Sequence, residues 1–310
     1  MISFTVSETA ALLHAEYING DAEFNRVSSD TRTLEGPALF VAIHGERFDG
    51  HDYVEAAAEK GAVAALVERE LDIDLPQIIC KNVIQSFGEL ATAWRDKSRA
   101  FVVALTGSNG KTTVKEMVAA ILARRGSVLA TRGNYNNELG LPLTLFRLQP
   151  EHRYAVLEMG AGKTGDIAYL ADIAKPDVGL VNNIAPAHLE GFGSLEGVAR
   201  TKGAMFASLP RDGWAVMNAD EPWMDLWRGQ CTADNVLTFG TSASADVRLE
   251  SSADGSRIVT PNGSFEPRLA LPGQHNLINA TAATAIATVT PSPVTPIACS
   301  SSAPTTSRAT

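Results

Sequence analysis

The sequence predicts an α/β protein: a small N-terminal α/β domain, then a central domain with a mostly parallel sheet and a β-rich extension. Three observations carry this. Strand-like and helix-like patterns alternate from Phe101 onward, which calls for parallel strands joined by crossover helices. The run Val103-Ala104-Leu105-Thr106-Gly107-Ser108-Asn109-Gly110-Lys111-Thr112-Thr113 takes an apolar strand through a glycine turn to the mouth of a helix. At 310 residues the chain has room for about two domains with cores of their own.

The elements follow in order. Ala38–Ile43 is a short apolar strand closed by His44-Gly45, Val54–Lys60 is helical in pattern and ended by Gly61, and Ala62–Glu68 makes the next strand. Phe87–Arg99 suits a helix leading out of the first domain, which is assigned residues 1–98. In the central domain, residues 99–288, the strands are Phe101–Thr106, Tyr154–Glu158, Val178–Asn182 and Trp214–Asn218. Its clearest helices are Thr112–Arg125 and Leu195–Leu209. Residues 231–273 read as the β-rich extension, with alternation in Val247–Glu250 and Arg257–Thr260 and turns at Asp254-Gly255 and Asn262-Gly263.

Asn276–Ala287 starts an alanine-rich helix, after which the composition changes. Residues 290–310 hold four prolines, five serines and five threonines, with Arg308 the only charged side chain, too little apolar surface to offset ordering entropy. Residues 289–310 are therefore expected to be a disordered tail or the product of a shifted reading frame, the helix losing its pattern midway instead of ending at a cap.

A net charge of -9 argues against a nucleic-acid partner, which needs a basic face. The first twenty residues lack a secretory pattern, and no apolar run approaches membrane-spanning length. Cys80, Cys231 and Cys299 lie far apart, without metal-ligand spacing. A cytoplasmic, reduced, monomeric protein is expected.

The glycine turn is built to hold a nucleotide triphosphate. Gly107 and Gly110 let backbone N–H groups close on phosphate oxygens, with Ser108, Asn109 and Thr113 completing the loop. Lys111 supplies a point charge and Thr112 a hydroxyl for Mg²⁺. The common phosphate-loop pattern has a glycine where this chain has Leu105, so the loop is a shortened variant. Glu158 ends an apolar strand, where a carboxylate points into the ligand crevice of a parallel sheet, and could share one Mg²⁺ with Thr112. A capping or solvated glutamate is the alternative. Gly133–Pro142 packs Asn134, Asn136 and Asn137 into a glycine-bounded loop, suited to a polar uncharged substrate segment or simply to a turn. His188 and Glu190 follow another strand; Lys202 reads alone as a solvated helix lysine, and His275-Asn276 with Asn279 as helix-start polarity.

Together these residues resemble the Mur ligase family, over about residues 26–287. The resemblance rests on Ser29-Asp30-Thr31-Arg32, Leu39–Ala42, Gly45–Asp52, Thr106–Met117, Gly133–Leu145 and His188–Ser194. It implies an ATP-dependent ligase of peptidoglycan precursor synthesis that adds D-alanyl-D-alanine to UDP-N-acetylmuramoyl-tripeptide through an acyl phosphate. It further implies that Lys111, Glu158, His188 and Lys202 serve catalysis, with Thr112, Glu158, His188 and a carbamylated Lys202 around metal. His275 and Asn276 would border the adenine pocket; Ser29, Thr31 and Arg32 the UDP-sugar; Asn134, Asn136 and Asn137 the peptide-bearing end of the substrate. Two departures stand out: Ala204 occupies a place where the family commonly has glutamate, and the family's C-terminal Rossmann-like domain finds no match in these residues. Catalytic inactivity of this polypeptide on its own is the resulting expectation. A non-catalytic nucleotide-binding remnant and a ligase for a different amino component are the rival readings.

Overall fold

The computed structural model describes residues 1–45, 48–186, 189–252, 255–270 and 272–291. Among these, the N-terminal unit holds a five-stranded sheet in the order Glu16–Ile18, Gln77–Ile79, Ala62–Val67, Ala38–Val41, Arg26–Ser28. Its first pair is antiparallel and the rest run parallel. The helix Val83–Asp96 begins four residues before the expected Phe87, because the Asn82 side chain accepts from the Gln85 N–H (2.8 Å) and caps it.

The central sheet has nine strands among the described residues, in the order Gly263–Phe265, Gly255–Thr260, Val247–Ser252, Asn235–Gly240, Trp214–Asn218, Val178–Val181, Phe101–Thr106, Tyr154–Glu158, Val128–Ala130. From Val128–Ala130 to Val247–Ser252 every pairing is parallel, and only the last two are antiparallel. The β-rich extension is thus the far edge of the same sheet. Asp254 lies outside the described residues, while the expected Asn262-Gly263 turn joins the final two strands.

Strand Phe101–Thr106 sits between Tyr154–Glu158 and Val178–Val181, and the chain crosses it after Glu158. That reversal places the ligand crevice at its carboxyl end. The strand is buried on both sides, which is why it reads as a continuous apolar run. Val103 and Leu105 pack with Val114 and Val118 of helix Lys111–Leu122 and with Ala282 and Ile286 of helix Gln274–Val289. Val102 and Ala104 share the opposite core with Phe87, Leu90 and Trp94, and that core continues into Phe4, Leu39 and Leu66 of the N-terminal unit. Trp94 stacks on Phe4 (centroids 5.8 Å apart) and meets Phe146 edge-on (5.5 Å). One core therefore runs across the boundary drawn at residue 98.

Two expectations need correction. The stretch Leu195–Leu209 is an α-helix only to Gly203 and a 3₁₀ turn over Ala204–Ser208. The helix that opens at Gln274 does not lose its pattern midway: it runs to Val289 and is held at its end. The Arg125 guanidinium donates to the Ala287 and Thr290 carbonyls (2.9 and 3.2 Å), and the Tyr154 hydroxyl donates to Pro291 (2.9 Å). Residues 292–310 lie outside the described part. No helix among the described residues is long and apolar enough to cross a membrane.

Candidate functional site

The phosphate loop spans the gap between strand Phe101–Thr106 and helix Lys111–Leu122, and Gly110 makes the turn with φ +75°. A Cβ there would stand 2.5 Å from Asn279 Oδ1 and 2.9 Å from Asn182 Nδ2, so glycine is required by space as well as by dihedral. The loop is clamped from the neighbouring strand. Ser108 N–H donates to the Asn183 carbonyl (2.9 Å), and Asn109 N–H donates to Asn183 Oδ1 (2.8 Å). Ser108 Oγ donates to Ala185 O (3.1 Å) and accepts from Ala185 N–H (2.9 Å). The fully buried Asn182 donates to Asn109 O and to Asn279 Oδ1, both at 3.0 Å. Lys111 Nζ lies across the loop, donating to Gly107 O (3.0 Å).

Glu158 faces this loop. It ends its strand opposite Leu105 and is 2% exposed. Thr112 Oγ1 donates to its Oε2 (2.9 Å) and Asn136 Nδ2 to its Oε1 (2.8 Å). Its own N–H donates to Thr131 Oγ1 (3.0 Å), and the buried Lys115 holds Thr131 by donating to its carbonyl (2.8 Å). The capping-or-solvated alternative for Glu158 is thereby removed. One carboxylate and one hydroxyl beside a phosphate loop fit Mg²⁺, which takes few protein oxygens and fills its octahedron with water and phosphate. Among the described residues no group of three or more His, Cys, Asp or Glu side chains could hold a metal ion.

Lys202 is 4% exposed, not solvated. Among the described residues its ammonium has no carboxylate or hydrogen-bond acceptor. Burial, with a smaller repulsion from Lys111, brings its pKa down to about 8. His188 lies outside the described residues; Glu190 is exposed in the short helix Leu189–Phe192. His275 is exposed and Asn276 buried at the start of helix Gln274–Val289, one turn before Asn279 reaches Asn182. That contact sets the helix start against the phosphate loop.

Ser29, Thr31 and Arg32 line a cleft of about 700 Å³ between the two units, together with Asn134, Tyr135 and Asn137. Arg32 grips Asp30 through two donors (2.9 and 2.7 Å), which holds the Asp30 carboxyl down at about 2. Phe48, Tyr53 and Tyr135 turn exposed rings into the cleft. Glu46 and Arg47 lie outside the described residues. A second cavity of about 830 Å³ is lined by Lys111, Asn136 and the Gly160–Asp166 loop, and Asn137 lines both cavities. The asparagine loop is thus divided: Asn134 faces the cleft, Asn136 the carboxylate, and Asn137 stands between while its Oδ1 accepts from Gly140 N–H (2.9 Å). Sequence reasoning missed Asp30, Lys115, Thr131, Asn182 and Asn183. Asp30 and Lys115 did carry a signal, lying inside the motif stretches Ser29–Arg32 and Thr106–Met117, and Lys115 stands four residues from Lys111 on one helix face.

Residues 105–287 match the model of the Mur ligase middle domain, and residues 23–99 that of the Mur ligase family, catalytic domain. The chain belongs to the Mur ligase family. Relatives within it include UDP-N-acetylmuramoyl-tripeptide–D-alanyl-D-alanine ligase of Escherichia coli strain K12, 47% identical over 293 residues, which cover 92% of this chain and 65% of that one. The Bacillus subtilis protein of that name is 35% identical, covering 92% and 64%. Among solved Mur ligases, MurF from Acinetobacter baumannii superposes with TM-score 0.85 at 34% identity, covering 93% of this chain and 65% of that one. MurF from Thermotoga maritima, solved in complex with ADP, gives 0.75 at 32% identity, covering 84% and 62%. The chain therefore spans just under two thirds of the length of these Mur ligases.

Proposed function

We propose that this chain is the nucleotide- and UDP-sugar-binding part of an ATP-dependent ligase that adds D-alanyl-D-alanine to UDP-N-acetylmuramoyl-tripeptide. The observation that carries the reading is Asn137 standing on the wall shared by the inter-unit cleft and the Lys111 cavity, beside the Thr112–Glu158–Asn136 cluster. A substrate in the cleft would present its peptide end to the phosphate loop there. The names of the full-length relatives supply the substrates.

In this reading, the terminal carboxylate of the tripeptide attacks the γ-phosphorus of ATP, forming an acyl phosphate and ADP. The amine of D-alanyl-D-alanine then adds to that carbonyl, loses a proton, and the tetrahedral intermediate expels phosphate. Lys111 and the loop N–H groups neutralise and orient the phosphates, which is most of what such a transfer asks of a protein. Mg²⁺, when bound, would neutralise charge on the phosphates from a place between Thr112 and Glu158. Asn136 fixes the Glu158 rotamer through Oε1. Lys202, with an amine partly uncharged near neutral pH, is suited to carbamylation, which would turn a cation into a carboxylate-like ligand. For His188, the family resemblance alone implies a metal-ligand role.

Calorimetry of the 310-residue chain with ATP and Mg²⁺ tests the binding half: Lys111→Ala is expected to weaken ATP by roughly tenfold or more. Equal ATP affinity in wild type and variant would sink the reading. Amide formation is expected to need the part of the relatives that this chain does not match; turnover by the chain alone would overturn that expectation.

A further inference from the structure

A third cavity, of about 870 Å³, lies beside the inter-unit cleft and shares Ser29, Asp30, Tyr135 and Leu143 with it. Two arginines line it. Arg132 opens the asparagine loop, and Arg147 follows the helix Gly140–Leu145 by two residues. Arg147 is partly buried, and burial together with the charge of Arg132 lowers its pKa.

Neither guanidinium has an ion-pair or hydrogen-bond partner among the described residues. Two of the three carboxylates that line the cavity are otherwise engaged: Asp30 holds Arg32, and Glu35 pairs with Arg26. Glu151 also lines the cavity, exposed and without a described ion pair. On the same wall the side-chain oxygen of Asn25 is buried without a described partner. Ten guanidinium N–H donors on two mutually repelling cations, one of them partly withdrawn from water, form an arrangement that an oxyanion relieves and a second cation worsens.

We infer that Arg132 and Arg147 form an oxyanion subsite, taking a phosphate or carboxylate group at the back of the inter-unit cleft. Because Tyr135 and Leu143 wall both cavities, the group is either an acidic arm of the molecule in the cleft or a free anion. The inference stands on these residues and not on the ligase reading.

The test is a titration of the 310-residue chain with inorganic phosphate, the phosphate loop being disabled by Lys111→Ala so that it does not report. Arg147→Met and Arg132→Met, each in that background, are expected to weaken phosphate by roughly tenfold, while Arg257→Met, exposed on the strand Gly255–Thr260, leaves it unchanged. Arg147→Lys, which keeps a charge but not the fork, should retain part of the affinity, and circular dichroism checks that each variant folds. Competition by UDP-N-acetylmuramoyl-tripeptide would support the subsite and assign its anion to the cleft ligand. Independent binding would support it as a free-anion site. Phosphate binding that is absent at 10 mM or so, or that survives both arginine substitutions, would overturn the inference.

Discussion

Gly110→Ala is the most exacting perturbation of the phosphate loop. The new Cβ would sit 2.5 Å from Asn279 Oδ1 and 2.9 Å from Asn182 Nδ2, the two atoms that hydrogen-bond each other at 3.0 Å. Three costs combine. A left-handed conformation for alanine costs about 1–2 kcal/mol. Forcing the neighbours apart costs about 1–3 kcal/mol. Loss of a buried amide–amide bond would add about 1–3 kcal/mol, in part the same expense as the displacement. A destabilisation of about 2–5 kcal/mol is expected, measured as a lowered urea midpoint at unchanged slope. Asn279→Ala in the same chain clears the nearest obstacle and leaves only the 2.9 Å approach to Asn182 Nδ2, so the double variant should cost clearly less than the sum of the two single variants. A Gly110→Ala chain within about 0.5 kcal/mol of wild type would refute the steric reasoning, and so would a double-variant cycle showing no coupling.

Three further outcomes are expected. Trp94→Ala, which empties the core joining the two units, should cost about 3–5 kcal/mol by urea denaturation; two separated transitions in the variant would show that the units lean on each other through this side chain. Lys115→Met keeps the buried volume but frees the Thr131 carbonyl, so ATP affinity in Mg²⁺ should fall more than affinity measured in chelator, with Lys115→Arg rescuing little because the site is closed around one ammonium; equal losses in both conditions would count against a role in placing Glu158. For Lys202 the native state binds its proton less tightly than the unfolded chain does, so stability should rise as pH climbs from about 8 towards 10.5. Lys202→Met lacks that rise and should be the more stable chain at pH 7, by about 3 kcal/mol at most, when urea midpoints are compared in carbonate-free buffer.

Much of the architecture was legible because parallel strands buried on both faces write themselves as apolar runs. Phe101–Thr106, Tyr154–Glu158 and Trp214–Asn218 fall where the pattern puts them. Helix ends were less legible. Val83 was missed through its Asn82 cap, and the end of the helix at Val289 is fixed by Arg125, more than 160 residues away in sequence. A composition change after residue 290 carries no trace of that contact.

By itself the sequence determined the phosphate loop, since the left-handed dihedral at Gly110, the charge of Lys111 and the hydroxyl of Thr112 are properties of adjacent residues on one strand-turn-helix unit. It also determined the α/β class, through the period of its apolar residues. Only the tertiary structure decided which polar groups meet. Glu158 and Asn136 come to Thr112 because the chain reverses across strand Phe101–Thr106. Lys202 is buried because its helix packs against the helices Asp166–Ala174 and Met224–Gln230, Asn182 and Asn279 clamp the loop from 97 residues apart, and Arg132 and Arg147 share one cavity wall with the N-terminal unit. The physical reason is that periodicity encodes which face of an element is apolar, whereas the pairing of polar side chains depends on strand order and helix packing, which local pattern does not encode.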